Sequence, residues 1–414
     1  MTTLSRGASA LFGGLPTVFW LLFCGQLVNR FGGVVLPFLV FYLGGRGYAP
    51  TEIATVMAVY GLSGLAGQAL GGYLADRFGR RITLVGGLLS TAACLTMIGL
   101  AGNLAWLVAS AAALGLAGDV YRPAASALVA EMTPAEQRPK AFGLMHWAFN
   151  VGAALSGAVA GLLLAHGYWI LVVLDAATSV TFAVIVAVGV PRDRPSPRRR
   201  RERIGYAGAV RDRLLLGVVA LIALGLTLYT QVRIGLPLEL TADGLPPSLF
   251  GLLITLNAAL VVIFQPIAVA WLSRFRRLPV LGLSMALLGA GLALSGPATE
   301  PWQYVVTVAL WSAGEIGMAA FEVTVIADIT PDGSHGTYQA MFGWADAISR
   351  FGGPIAGAAL FGVSALWAAC AAGGVLCAVL AFALLPAFTR RTTSPSPPPA
   401  TVVAATEEAV HRSS

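Results

Sequence analysis

Gly72-Tyr73-Leu74-Ala75-Asp76-Arg77-Phe78-Gly79-Arg80-Arg81-Ile82-Thr83-Leu84 is a short charged turn set between two long apolar runs. The run before it, 53–75, is long enough as a helix to cross a hydrocarbon core of about 30 Å, and a second begins at Ile82. The stretch therefore reads as a membrane hairpin with its turn in water. Asp76 stands at the C-terminal end of the first helix, where the macrodipole disfavours an anion, so a partner is expected elsewhere, at the start of another helix or on a nearby arginine. Gly79 suits a positive φ in the turn and Gly72 the close approach of a neighbouring backbone. Arg77, Arg80 and Arg81 hold the turn on the cytoplasmic side.

Outward from the turn, the whole chain is of the same kind. Hydrophobic residues make up 57% of the sequence and charged residues 11%, against about 25% charged in soluble domains; the mean hydropathy is +0.79. The composition is that of an all-α polytopic membrane protein. Apolar runs near helix-spanning length fall at 15–42, 53–75, 82–101, 104–130, 141–165, 168–190, 214–240, 248–272, 278–296, 302–327, 338–361 and 364–388, twelve in all. The first exceeds a signal-peptide core and reads as a retained helix. Cys24, Cys94, Cys370 and Cys377 all lie inside apolar runs, which supports buried small hydrophobes and neither a disulfide framework nor a metal cluster.

Arginine placement orients the chain. All lysines and arginines outside the apolar runs fall on one side except Arg46. That side is expected to be cytoplasmic, with both termini on it and the chain a multi-pass component of the cell inner membrane. Residues 1–190 form one six-helix half and 214–388 the other. The basic linker 191–213, with Arg198-Arg199-Arg200-Arg201, reads as a juxtamembrane anchor on anionic lipid in preference to a nucleic-acid contact. The tail 389–414, with its Ser-Pro-Ser-Pro-Pro-Pro, has too little apolar content to bury a core. An internal repeat appears at a constant offset of 197 residues: Gln68 aligns with Gln265, Arg77-Phe78 with Arg274-Phe275, Thr133-Pro134 with Thr330-Pro331, and Trp147-Ala148 with Trp344-Ala345. Ser273 replaces Asp76 in the second copy of the turn.

The opening stretch matches, position for position, the pattern G-x-x-x-D-[RK]-x-G-[RK]-[RK] that the major facilitator superfamily carries between its second and third helices. The chain resembles that family, and within it the drug:proton antiporter branch, over about residues 10–390. The resemblance implies twelve transmembrane helices in two six-helix pseudo-repeats, with a cavity near the midplane lined by helices 1, 4, 7 and 10. It also implies that Gly72, Asp76, Arg77, Gly79, Arg80 and Arg81 form a gate element that steadies one conformation, with Asp76 facing the start of helix 11 near Gly336. Arg122 resembles the arginine of the antiporters' helix-4 motif, although that motif's glycine pattern is absent. Gly152, Gly157 and Gly161 form a small-residue stripe in helix 5, but Ala158 stands where drug antiporters have proline, and a Gly353-Pro354 pair occupies the equivalent place in helix 11. Of the helix-1 signature of proton-coupled peptide importers only Asn29-Arg30-Phe31 is present.

Charges at the helix centres of the apolar runs cost about 2.5 to 3.5 kcal/mol each on insertion scales, so each requires a partner or an aqueous cavity. They are Arg30, Asp119, Arg122, Asp175, Arg233, Glu315, Glu322, Asp346 and Arg350. Asp119 and Arg122 share a helix face, as do Asp346 and Arg350. The second pair reads as a structural ion pair, the first as part of the cavity. Glu315 and Glu322 lie on one face of helix 10 with no cation within a turn. Carboxyls so placed in a low-dielectric cavity suit proton loading and unloading, so Glu315, Glu322 and Asp119 are the proton-coupling candidates. Arg30, Arg122, Arg233, Trp147 and Trp344 are the substrate-cavity candidates. For Arg30 the alternatives are binding an anion and balancing an acid; for Arg233, snorkelling to the interface; for the tryptophans, packing.

No phosphate loop, HExxH spacing or Gly-x-Ser-x-Gly elbow is present, so neither an ATP-driven pump nor an enzyme is expected, and no cofactor is called for. The function implied is secondary transport of a small organic molecule by alternating access, as proton-coupled drug or metabolite efflux. An importer or uniporter is the alternative, with a nontransporting sensor or intramembrane enzyme more distant. The expected partners are a small-molecule substrate, protons and membrane lipid, with no nucleic acid and a monomeric chain.

Overall fold

The computed structural model describes residues 14–134, 137–191, 206–331, 335–363 and 365–393. These residues are helical throughout apart from turns, with no strand among them. In order the membrane helices are α1a (Thr17–Gly32), α1b (Val35–Gly45), α2 (Pro50–Phe78), α3 (Arg80–Gly99), α4 (Leu104–Met132), α5 (Arg138–Leu163) and α6 (Tyr168–Gly189). After a short linker helix, Tyr206–Ala209, follow α7a (Arg213–Thr230), α7b (Gly235–Ala242), α8 (Pro247–Leu272), α9 (Arg277–Ala293), α10 (Pro301–Asp328), α11 (His335–Gly362) and α12 (Leu366–Thr393). Among the described residues, nine spans are long and apolar enough to cross a membrane by length and composition. The remaining three, α5, α9 and α11, complete the twelve, and α11 dilutes its apolar character with Asp346 and Arg350.

Local chemistry starts these helices where the sequence permits. Pro50, Pro247 and Pro301 occupy first-turn positions, where the missing N–H is harmless. Asn103 accepts from the Trp106 amide to cap α4 at 2.9 Å. The first and seventh apolar runs, each read as one helix, are both interrupted: α1 at Gly33 and Val34, α7 over Gln231–Ile234. The interruptions fall at equivalent places in the two repeats, and backbone freed from helical bonding is tolerated at such depth only inside protein or beside a cavity. At the break of α1 the buried Asp175 of α6 has this duty. Its Oδ2 accepts from the Val35 amide at 3.2 Å and so starts α1b.

Packing follows the repeat. Within the first half α2 and α3 pack on α4, and α1a and α3 on α6; within the second, α8 and α9 pack on α10, and α7a and α9 on α12. Two helix pairs make the broadest contacts between the halves, α5 with α8 and α2 with α11, and these are exchanged by the repeat, while α1b also meets α7b. Small residues make the close approaches. A Cβ on Gly157 would lie 2.8 Å from the Gly251 carbonyl, and one on Gly61 would lie 2.4 Å from the Arg350 carbonyl. Gly72 corrects an expectation: nothing stands within 4 Å of a Cβ built there, whereas one on Gly71 would meet the Val120 carbonyl at 2.3 Å. Helix rotation puts Gly71, in register with Gly64 and Gly67, against α4. Cys24 is also exposed instead of buried, while Cys94, Cys370 and Cys377 are buried.

The halves close at the arginine-poor end. Phe38 and Phe41 of α1b each stand 5.4 Å from the Phe250 ring of α8, and Thr255 donates to the Ala154 carbonyl at 2.9 Å. One buried apolar cluster runs through this contact into the C-terminal half, while a second, from Leu15 to Val190, is confined to the arginine-rich end of the N-terminal half. At that end Ile263, Ile267 and Trp271 of α8 are exposed.

Just outside the membrane at that end, Asp212 caps α7a by accepting from the Leu214 and Leu215 amides, and also accepts from Tyr338 and Arg391, each at 2.6 Å. Burial alone would push its carboxyl up, but the bonds from Tyr338, Leu215 and Arg391 outweigh burial and hold it below the ordinary aspartate value. A lowered folded-state pKa contributes stability that is complete above the unfolded value of about 3.9 and fades as pH falls through the folded one. Asp212→Ala is therefore expected to lower the thermal midpoint in detergent at neutral pH, losing a cap worth about 1 kcal/mol in addition to its ion pair. The gap from the parent protein should narrow in acid below about pH 4. A gap that stays constant down to the acid limit would refute the linkage.

Candidate functional site

The two halves share a chain of charges at mid-depth. Asp119 of α4, buried, faces Arg122 at 3.1 Å and Arg350 of α11 at 3.0 Å, and Arg350 in turn holds Asp346 at 2.9 Å. The two helix-local pairs expected from spacing thus both form, but they are fused into one network across the halves. Glycines make room for it: Gly61 lets α11 come close beside Arg350, and a Cβ on Gly64 would lie 2.6 Å from Asp119 Oδ2. Both sides of Asp119 are therefore occupied by guanidinium groups, so a proton-carrying part for this residue requires one of these pairs to open.

Glu315 of α10 is held differently. Tyr229 of α7a donates to its Oε1 and Asn257 of α8 to its Oε2, each at 2.6 Å, and Asn257 also donates to Ser312 at 2.9 Å. Among the described residues no cation forms an ion pair with it, and Arg233 lies within electrostatic reach. Glu322 lies seven residues on, toward the arginine-rich end, and its Oε2 is buried without a hydrogen-bond partner. Tyr229, Asn257 and Ser312 complete the site. A polar Asn in an otherwise apolar α8 run was the available signal for Asn257, but spacing within one helix does not reveal which neighbour it faces.

Arg30, near the end of α1a, lays its guanidinium 3.6 Å over the Phe149 ring. Its Nε is buried without a hydrogen-bond partner. It lies within electrostatic reach of Arg122, Arg233, Tyr60 and Tyr121. Arg233 sits in the break of α7, and it too forms no ion pair among the described residues. Its electrostatic neighbours include Arg30, Tyr60, Tyr229 and Glu315, and its side chain is exposed. Trp147 and Trp344 are both exposed in large part, and Trp147 stacks on Phe23 with centroids 6.2 Å apart.

The charged turn joins the arginine-rich ends of α2 and α3. Gly79 has the positive φ anticipated, +93°. Arg80 pairs with Glu131 at the end of α4, Arg81 donates to the Ala187 carbonyl of α6, and Arg77 donates to Tyr73 at 2.6 Å. Arg80 and Arg81 thus tie the start of α3 to α4 and α6 of its own half, while the Arg77 contact stays within α2. The side chain of Asp76, with the expected partner near Gly336, lies outside the described residues.

Two six-helix halves in parallel repeat, each with its first helix broken, meet across a network of buried charges. The profile of the Major Facilitator Superfamily matches residues 18–240 and 215–413, and the chain belongs to that family. It is 24% identical over 344 residues to the multidrug resistance protein MdtH of Aeromonas salmonicida, covering 82% of this chain and 87% of that one. It is 23% identical over 361 residues to a Na(+), Li(+), K(+)/H(+) antiporter of Planococcus maritimus, covering 78% and 84%. Among solved structures it is similar to a peptide transporter POT in complex with sulfate, with a TM-score of 0.76 and 18% identity over 92% of this chain and 97% of that one. The chain is a secondary transporter of the superfamily.

Proposed function

We propose that this transporter couples proton entry to the export of a small organic molecule. The observation that carries the reading is the pair of acids on α10: Glu315 held by neutral donors alone and Glu322 with an unpartnered buried oxygen. A carboxyl without a fixed cation can exchange a proton for a substrate group, which is what antiport requires. Asp119 joins the relay when Arg122 or Arg350 moves away. Arg30, Arg122, Arg233, Trp147 and Trp344 serve the substrate, Asp346 and Arg350 brace α11 against α4, and the turn from Gly72 to Arg81 acts as the gate. The names of similar proteins, a multidrug resistance protein and a cation/proton antiporter, support export and antiport.

In this reading the arginine-rich face is cytoplasmic, with both termini there. Residues 1–190 and 214–388 are the moving halves, 191–213 rests on anionic lipid, and 389–414 is a tail. The chain acts as a monomer in the inner membrane.

Proteoliposomes with an acid lumen and an entrapped pH dye test the assignment. Adding a transported solute should raise the lumenal pH, as protons leave in exchange. Acidification on solute entry under the opposite gradient would instead establish symport and import.

A further inference from the structure

The break of α1 is held by another helix on both sides of one residue, and the break of α7 is not. Both backbone groups of Val35 go to α6: the amide donates to Asp175 Oδ2 at 3.2 Å, and the carbonyl accepts from the Tyr168 hydroxyl at 3.0 Å. Asp175 is buried and forms no ion pair among the described residues. Tyr168 also stacks on Tyr42 of α1b, with centroids 3.9 Å apart. Just before the break α6 packs tightly, since a Cβ on Gly32 would lie 1.8 Å from the Thr178 hydroxyl. The repeat places Val232 at the position of Val35, with Ala365 and Ala372 at those of Tyr168 and Asp175. There the Val232 amide bonds to the Tyr229 carbonyl of its own helix, and Gln231 donates to the Gly353 carbonyl of α11 at 3.0 Å. The hold of α6 on a helix break is therefore peculiar to the N-terminal half.

The segment directed by this hold is the one that reaches the other half. α1b sets Phe38 and Phe41 against Phe250 of α8 and also meets α7b, at the arginine-poor end where the halves close. We infer that Asp175, seconded by Tyr168, is a positioning residue of the transport cycle: it fixes the direction of α1b at Val35 and so favours the state closed at the arginine-poor end. A hydrogen bond to a carboxylate is roughly twice as strong as a neutral one, so Asp175 is the larger of the two holds. The balance of states shifts by the part of the hold that opening breaks. This role is independent of the solute, of its direction and of proton coupling.

The test is the distance between paired spin labels on the full chain in nanodiscs, its four cysteines replaced by alanine. Labels at Gly102 and Thr299, exposed and equivalent in the repeat, report the arginine-poor end, and a Cβ at Gly102 meets nothing within 4 Å. Labels at the exposed Ile82 and Phe275 report the arginine-rich end. Asp175→Leu should raise the ratio of open to closed at the arginine-poor end about tenfold, the scale of a charged hydrogen bond, while the Ile82 and Phe275 labels approach each other in step. Tyr168→Phe keeps the ring and should shift both pairs the same way, by about fivefold. Arg30 lies within electrostatic reach of Asp175, and Tyr168→Phe, which alters no charge, separates the hold on Val35 from that influence. Asp175→Asn keeps an oxygen acceptor and should fall between the parent and Asp175→Leu. In a Phe250→Ala background Asp175→Leu should add little, because the contact it directs is already gone. If both ends loosen together, if the thermal midpoint falls with the distances unchanged, if Asp175→Asn matches Asp175→Leu, or if the Phe250 and Asp175 effects add, Asp175 is a structural acid of its own half and the inference fails. Should Asp175→Leu not assemble, Tyr168→Phe decides by the same reciprocal shift.

Discussion

Glu315→Gln is expected to uncouple transport from the proton gradient without abolishing movement of substrate. The amide oxygen remains able to accept from Tyr229, and its NH2 can donate to Asn257 once that amide turns over, so the packing of α7a, α8 and α10 is preserved. What is lost is the only change of charge available at that position. A gradient of one pH unit is worth about 1.4 kcal/mol per proton, enough for a tenfold concentration ratio of a solute exchanged one for one. In proteoliposomes the variant should therefore lose about tenfold accumulation per coupled proton while keeping counterflow of labelled against unlabelled substrate. Full gradient-driven accumulation with an unchanged pH profile would reduce Glu315 to a structural acid and return the coupling role to Glu322 or Asp119.

Arg350→Ala carries the second large effect. This one side chain neutralises Asp346 and half of Asp119, and Asp119 is buried. Breaking a buried pair by removing one partner typically costs about 3–5 kcal/mol, because the remaining charge keeps its desolvation penalty. The loss falls on the contact between the halves and not on either half alone, since Asp119 belongs to α4 and Arg350 to α11. Unfolding in mixed micelles should show the cost. A double-mutant cycle of Asp119→Asn with Arg350→Gln should return a coupling energy of about 1 kcal/mol or more. Additive effects at these two positions would mean that the network exerts no hold between the halves. A cysteine placed near Gly251 should at the same time become more reactive from the arginine-poor side, as the closed end loosens.

Much of this architecture is written in local patterns. Length and apolar content delimit most of the membrane segments, because a helix must supply every backbone hydrogen bond internally in hydrocarbon and needs about twenty residues to cross it. The 197-residue offset exposes the duplication, and the expense of charge in such segments singles out Arg30, Asp119, Arg122, Arg233, Glu315, Glu322, Asp346 and Arg350. Spacing of three and four residues predicts the pairs Asp119 with Arg122 and Asp346 with Arg350, and both are formed.

Tertiary structure decided the rest, and the reason is geometric. Periodicity tells which residues share a face of a helix but not which neighbour that face meets. Asp119 and Arg350 are 231 positions apart, so no local rule joins them. The partners of Glu315 come from α7a and α8, and the close-approach glycine is Gly71 instead of Gly72, a difference of one residue and about 100° of helix rotation. The breaks in α1 and α7 lie inside runs apolar enough overall that hydropathy passes over them. At the α1 break Asp175 of α6 offers an acceptor to the Val35 amide, a contact that exists only once the bundle has assembled.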